Sequence, residues 1–195
     1  MDHEIKFDSH RMHARLDRDA VRLLTRTGLD WIQKYPAIAA AVASIDAKQA
    51  YLDGELCGVG PGGITSFSII QLASDIGNAT ALVFFRSDLL YLDGQNLRER
   101  PLIERKALAD LLANVPSPLH YCDHQIRRGR EFHEKACAMG LEGMVSKRAD
   151  APYTPGNRSL WVKSQMPASG GIRRGRLDRS GRHAAAARCP TARLL

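Results

Sequence analysis

The 195-residue chain has no apolar run long enough to span a bilayer, and its opening residues, with Asp2, His3 and Glu4, lack the apolar core of a secretion signal. No membrane partner is expected, and the cytoplasm is the expected location. The four cysteines, Cys57, Cys122, Cys137 and Cys189, include no Cys-x-x-Cys pair. That spacing argues against a disulfide framework or a zinc knuckle, and the thiols are expected to be reduced and mostly buried. His120, Cys122 and His124 share one strand parity, but no fourth ligand stands at a useful spacing, so a soft-metal site is not expected. There is no internal repeat.

The chain does have positive charge, +7 overall from 28 basic and 21 acidic residues. Its distribution changes its meaning. From Ser164 onward there are seven arginines, no lysine and one acid, Asp178, so Met1–Lys163 keeps 21 basic and 20 acidic residues. The basicity belongs to the tail. Rich in Arg, Gly and Ala and without hydrophobic periodicity, residues 164–195 are expected to be disordered, and residues 1–163 to form the folded domain. One reading of the tail is a basic arm that neutralises nucleic-acid phosphates.

Alternation over His10–Leu16 and Val21–Arg26 predicts a hairpin turning at Asp17-Arg18-Asp19. Trp31–Ile45, Thr65–Asp75, Pro101–Val115 and Arg127–Met139 read as helices, with Gly77-Asn78 as a stop signal after the second. Strands are expected at Tyr51–Val59, Ala81–Phe85, Leu119–Cys122 and Gly143–Lys147, and a turn at Leu92-Asp93-Gly94. The fold class is α+β, with antiparallel sheets and helices on their outer faces.

Four segments carry chemistry: Glu4-Ile5-Lys6-Phe7-Asp8, Leu52-Asp53-Gly54-Glu55-Leu56, Leu141-Glu142-Gly143-Met144-Val145-Ser146-Lys147-Arg148 and Trp161-Val162-Lys163. A reactive lysine followed at long intervals by single carboxylates and further lysines suits work on a nucleoside triphosphate. An amine that attacks phosphorus must shed its proton, and burial with neighbouring cations lowers its pKa from about 10.4. A triphosphate calls for fixed cations, and magnesium needs only one or two carboxylates beside phosphate oxygens. In this order the segments resemble the adenylation (nucleotidyltransferase, ATP-grasp-like) domain of ATP-dependent DNA ligases, in particular the ligase domain of bacterial end-joining enzymes.

The resemblance implies ATP and Mg2+ as cofactors and Lys6 as the residue that forms lysyl-AMP. It implies nucleotide contacts from Arg11, Arg26, Glu55, Lys147 and Lys163, and metal contacts from Glu55 and Glu142. The substrate would be nicked or broken double-stranded DNA with 5′-phosphate and 3′-hydroxyl ends, and end-joining repair proteins would be partners. Four departures stand out. Ser9 occupies a glycine position, where a positive φ would make serine costly. Arg86-Ser87 precedes Asp88 where a phenylalanine stacks on adenine, with Phe84 and Phe85 as substitutes of unsettled parity. Gln165 replaces a second lysine. The OB-fold domain that follows in the family is absent from this frame.

Met166–Leu177, read from the second base of each codon, permits a string resembling the start of that OB-fold domain, which implies a one-base frameshift near Ser164. Two other readings are weighed: a catalytically inactive nucleotide-binding remnant, and a nucleic-acid-binding protein acting through its arginine tail.

Overall fold

The computed structural model describes residues 1–76, 82–112, 115, 117–156 and 160–166. The tail beyond Met166 and the Gly77-Asn78 stop signal lie outside the described residues, and with them the frameshift and basic-arm readings.

The chain enters on β1 (Asp2–Lys6), followed by β2 (Ser9–Asp17) and β3 (Ala20–Thr25). These last two form the expected hairpin, its turn accommodated by Arg18 at φ 55. β4 (Gln49–Gly58) pairs with β2 on one side and β5 (Leu82–Leu92) on the other. β6 (Gln95–Asn96) returns on β5 through a turn with Asp93 and Gly94 both at positive φ, and β7 (Leu119–Tyr121) pairs with β5 in parallel. Together they make a six-stranded sheet.

A second, four-stranded sheet is wholly antiparallel. In order it runs β10 (Trp161–Gln165), β9 (Gly143–Lys147), β1 and β8 (His124–Ile126). Among the described residues, no helix is long and apolar enough to cross a membrane.

Period-two alternation separates the two faces of the large sheet. Met12, Ala14 and Leu16 of β2 point into the core with Leu52, Leu56, Phe84 and Leu89. α1 (Pro36–Ala43) and α2 (Phe67–Ile76) close that core with Ile38, Val42 and Ile70. α3 (Leu102–Leu111) packs on β5, and α4 (Gly129–Ala138) lies against β9, β1 and β8. Arg11, His13 and Arg15, of the opposite parity, are left on the other face of β2.

Three expectations are corrected. The single helix over Trp31–Ile45 is a 3-10 turn at Ile32–Lys34 followed by α1, because Pro36 disfavours helical backbone at Tyr35, which sits at φ −132 and ψ 60. α4 starts at Gly129 rather than Arg127, since Arg127 and Arg128 hold φ values of 63 and 53, incompatible with a right-handed helix. The strand expected at Ala81–Phe85 runs on through Leu92, with bulges where it pairs with β4.

Candidate active site

The two sheets meet over a cleft of about 300 Å3, lined from β1, β2, β4, β5, β9 and β10. All seven residues singled out in the sequence, Lys6, Arg11, Arg26, Glu55, Glu142, Lys147 and Lys163, line it. Residues 157 positions apart in sequence converge because β1 pairs with β9 and β9 with β10.

Lys6 ends β1 directly opposite Gly143 of β9, which brings its Nζ onto Glu142 Oε1. Burial, then the like charge of Lys163, lowers the pKa of the amine, while Asp8 and Glu55 oppose that shift. The other oxygen, Glu142 Oε2, is buried and has no partner among the described residues.

Glu55 and Arg11 face each other across β4 and β2. Burial raises the pKa of Glu55, and a hydrogen bond donated by Ser9 Oγ to Oε2 at 2.7 Å works against the rise. Ser9 lies within β2 in extended backbone and is not at positive φ, so the expected strain does not arise. Arg11 is forked on Asp53, with Nε to Oδ1 at 2.9 Å and Nη2 to Oδ2 at 2.5 Å, and lies 5.2 Å over the Trp161 ring. Arg26 and Lys163 stand exposed at the rim.

Lys147 is placed differently from Lys163. It is 4% exposed and its Nζ lies 2.7 Å from Glu4 Oε2, while Lys106 Nζ lies 2.7 Å from Glu4 Oε1. Burial alone would raise the pKa of Glu4, but Lys147 and Lys106 outweigh it and hold the carboxyl below its ordinary range. Lys147 is therefore bound into a buried triad in the cleft floor.

Asp8 lies just past the end of β1, and its Oδ2 accepts the Phe67 N–H at the start of α2 at 2.9 Å. The parity of the two phenylalanines is resolved. Phe84 is in the core, whereas Phe85 lines the cleft and stacks on Phe7 with centroids 4.5 Å apart.

Sequence reasoning missed Glu4, Lys106, Asp53 as the anchor of Arg11, and Tyr153, whose hydroxyl accepts from Arg11 Nη2 at 3.1 Å. Glu4 was findable, because two residues along a strand from Lys6 is the same face. Lys106 was not, since its partner lies over a hundred residues away. Among the described residues, no cluster of three His, Cys, Asp or Glu side chains could hold a metal by itself. A hard cation sharing phosphate oxygens and waters with two carboxylates needs no such cage, and the orphaned Glu142 Oε2 fits it.

Comparison with known proteins identifies the family. The family model described as "ATP dependent DNA ligase domain" matches residues 1–165. The multifunctional non-homologous end joining protein LigD of Pseudomonas aeruginosa is 32% identical over 163 residues, covering 83% of this chain and 19% of that protein. Its counterpart in Mycobacterium tuberculosis is 35% identical over 185 residues, covering 91% of this chain and 24% of that protein.

Among solved structures, the ligase domain of M. tuberculosis LigD superposes with a TM-score of 0.75 at 34% identity, covering 84% of this chain and 53% of that one. A mycobacterial DNA ligase D complexed with ATP gives 0.73 at 33% identity, covering 84% and 54%. The chain belongs to the ATP-dependent DNA ligase domain family. It spans about a fifth to a quarter of the length of the LigD relatives and about half of the solved ligase domains.

Proposed function

We propose that this chain performs the activating step of an ATP-dependent DNA ligase, transfer of AMP from ATP to Lys6. The observation that carries the reading is the convergence of Lys6, its amine pKa lowered by burial and Lys163, with Arg11, Glu55 and Glu142 in one cleft. Nζ forms a bond to the α-phosphorus, the bond to pyrophosphate breaks, and the amine gives up its proton. Glu142 is the nearest group to that proton while Lys6 still touches it.

Lys163 and Arg26 at the rim offer charge to the phosphates. Arg11, oriented by Asp53 and Tyr153, presents its remaining N–H groups at a fixed angle. Glu55 and Glu142 would hold Mg2+, whose contribution when bound is to neutralise phosphate charge. Phe85 and Phe7 supply the apolar wall against which a base can rest, in place of the residue at Ser87. We further infer that the adenylate passes to the 5′-phosphate of nicked or broken duplex DNA, in the break repair that the end-joining relatives' names describe.

The test is covalent labelling. Purified protein incubated with α-labelled ATP and Mg2+, then denatured, is expected to carry label that Lys6→Ala abolishes. An unlabelled parent protein, or label that survives Lys6→Ala, refutes the reading.

A further inference from the structure

Trp161, the first residue of β10, lines the cleft, and its ring is shared by two cations. Lys147 Nζ lies 4.9 Å from the ring centroid and Arg11 Cζ lies 5.2 Å from it, both within the range in which an aromatic face attracts a cation. The two cations come from different sheets. Lys147 belongs to β9, where it is the direct cross-strand partner of Trp161, whereas Arg11 belongs to β2 of the large sheet. The ring is therefore a contact between the sheets across the cleft, made where β10 begins.

Neither cation needs the ring for its charge balance. Arg11 is forked on Asp53 and Lys147 is bonded to Glu4, so each already has a carboxylate. A further carboxylate in the place of Trp161 would draw the two together, but it would cancel positive charge that a polyphosphate requires. An aromatic ring attracts both cations through its quadrupole and carries no net charge. What the ring adds is position. Asp53 fixes Arg11 within the large sheet, where β2 and β4 are neighbours, and Glu4 fixes Lys147 within the small sheet, where β1 and β9 are neighbours. Trp161 joins the two anchored groups. Lys163, two residues along β10, has the same parity and also lines the cleft, so a strand docked through Trp161 brings that lysine over the same site.

We propose that Trp161 is a positioning residue for nucleotide binding: the π face of its ring holds Arg11 and Lys147 at a set separation across the cleft, for the polyphosphate of a nucleoside triphosphate, without cancelling their charge. This role rests on the activating reading above and adds to it the group that spaces the cations. A ring present only for its bulk would act the same whatever its electron density, whereas a ring that holds cations weakens as that density is withdrawn.

Fluorine on the indole withdraws electron density from the ring face and changes its size little. The chain has two tryptophans, so a Trp31→Phe background leaves Trp161 as the single site, and the full chain is prepared with tryptophan and with its mono-, di- and trifluorinated forms. Binding of α,β-methylene ATP with Mg2+, an analogue that cannot pass on its AMP, is measured by calorimetry at a temperature where every form is fully folded, and uptake of label from α-labelled ATP is measured separately. The dissociation constant of the analogue is expected to rise with each added fluorine, by about threefold or more at trifluorotryptophan. Should Trp31→Phe prevent folding, the same series is run on the unchanged chain with the same rise expected, since Trp31 does not line the cleft.

Affinity that stays level or tightens as fluorine is added overturns the proposal, as does a parent chain that does not bind the analogue. Absence of label in a parent that binds the analogue refutes the activating reading instead, and the fluorine series still decides the role of the ring.

Discussion

Asp88 and Glu4 are almost wholly withdrawn from water, and each is held by cations from distant parts of the chain. Arg105 grips Asp88 with two bonds of 2.8 Å and also donates to the carbonyls of Arg100 and Ala151, tying α3 to β5 behind the cleft. Removing one partner of such a pair leaves an uncompensated buried charge, at a cost of about 3–5 kcal/mol. Arg105→Ala is therefore expected to lower the urea midpoint severely or prevent folding. Arg105→Met with Asp88→Leu should lose much less. Equal losses in the two variants would show that packing, not the orphaned carboxylate, sets the cost.

This kind of residue is where reading the sequence stops. Lys6, Glu55 and Glu142 were legible because each sits inside a short segment whose neighbours identify it. Lys106, Asp53 and Arg105 take their meaning from partners brought in by the fold. Lys147 was legible as part of the site but not in its role, because nothing local says that Glu4 claims its charge.

At the scale of elements, alternation made β2 and β3 legible, β4, β7 and β9 were read close to their bounds, and the exceptions have physical causes. β5 looked finished at Phe85 because Arg86, Ser87 and Asp88 interrupt its apolar run. Burial of Arg86 against the Leu112 carbonyl at 2.6 Å and of Asp88 against Arg105 lets the strand continue. β8 is three polar or mixed residues with no pattern of its own, and it exists because β1 offers an edge.

β9 shows how one element sets the site. A Cβ on Gly143 would run into the Ser164 carbonyl oxygen and meet Gln165 Cα at 3.2 Å, both backbone of β10. The glycine is what lets β10 lie close enough to carry Lys163 to the cleft, since these backbone atoms cannot move without shifting the strand. Gly143→Ala is expected to destabilise by about 1–3 kcal/mol, in the range of overpacked sites. It should also reduce lysyl-AMP formation more than the loss of folded protein explains, because Lys163 is displaced from Lys6. Titrating label yield against the folded fraction checks this. Label that falls only in step with folding would mean β10 tolerates the wedge.

Across the whole molecule, three histidines make the junctions sensitive to acid. His3 joins β1 to β9 through Ser146 Oγ at 2.8 Å and stacks on Phe132 of α4. His10 packs against Trp31 and Phe67, where the large sheet meets its helices, and His13 lies against Tyr51 on the open face. Burial lowers all three pKa values first, helped by the N-terminal ammonium at His3, Lys34 at His10, and Arg11 and Arg98 at His13, where Asp53 opposes.

Between the ordinary value near 6.5 and each lowered folded value, the unfolded chain binds protons that the folded chain refuses. Their contribution to stability is thus complete above pH 6.5 and is lost as pH falls through the folded values. Glu4, whose carboxyl is held low, acts in the same direction but only below about 4.5. Asp2, Glu55 and Asp88, pushed upward mainly by burial, act with the opposite sign from about 4 upward, so the parent curve alone mixes two effects. A variant with His3→Gln, His10→Gln and His13→Gln separates them. The melting temperature of the parent is expected to fall from pH 7.5 to 5.5 by more than that of the variant, whatever their starting values. Parallel curves would mean that the three rings stay exposed enough to protonate freely in the folded state.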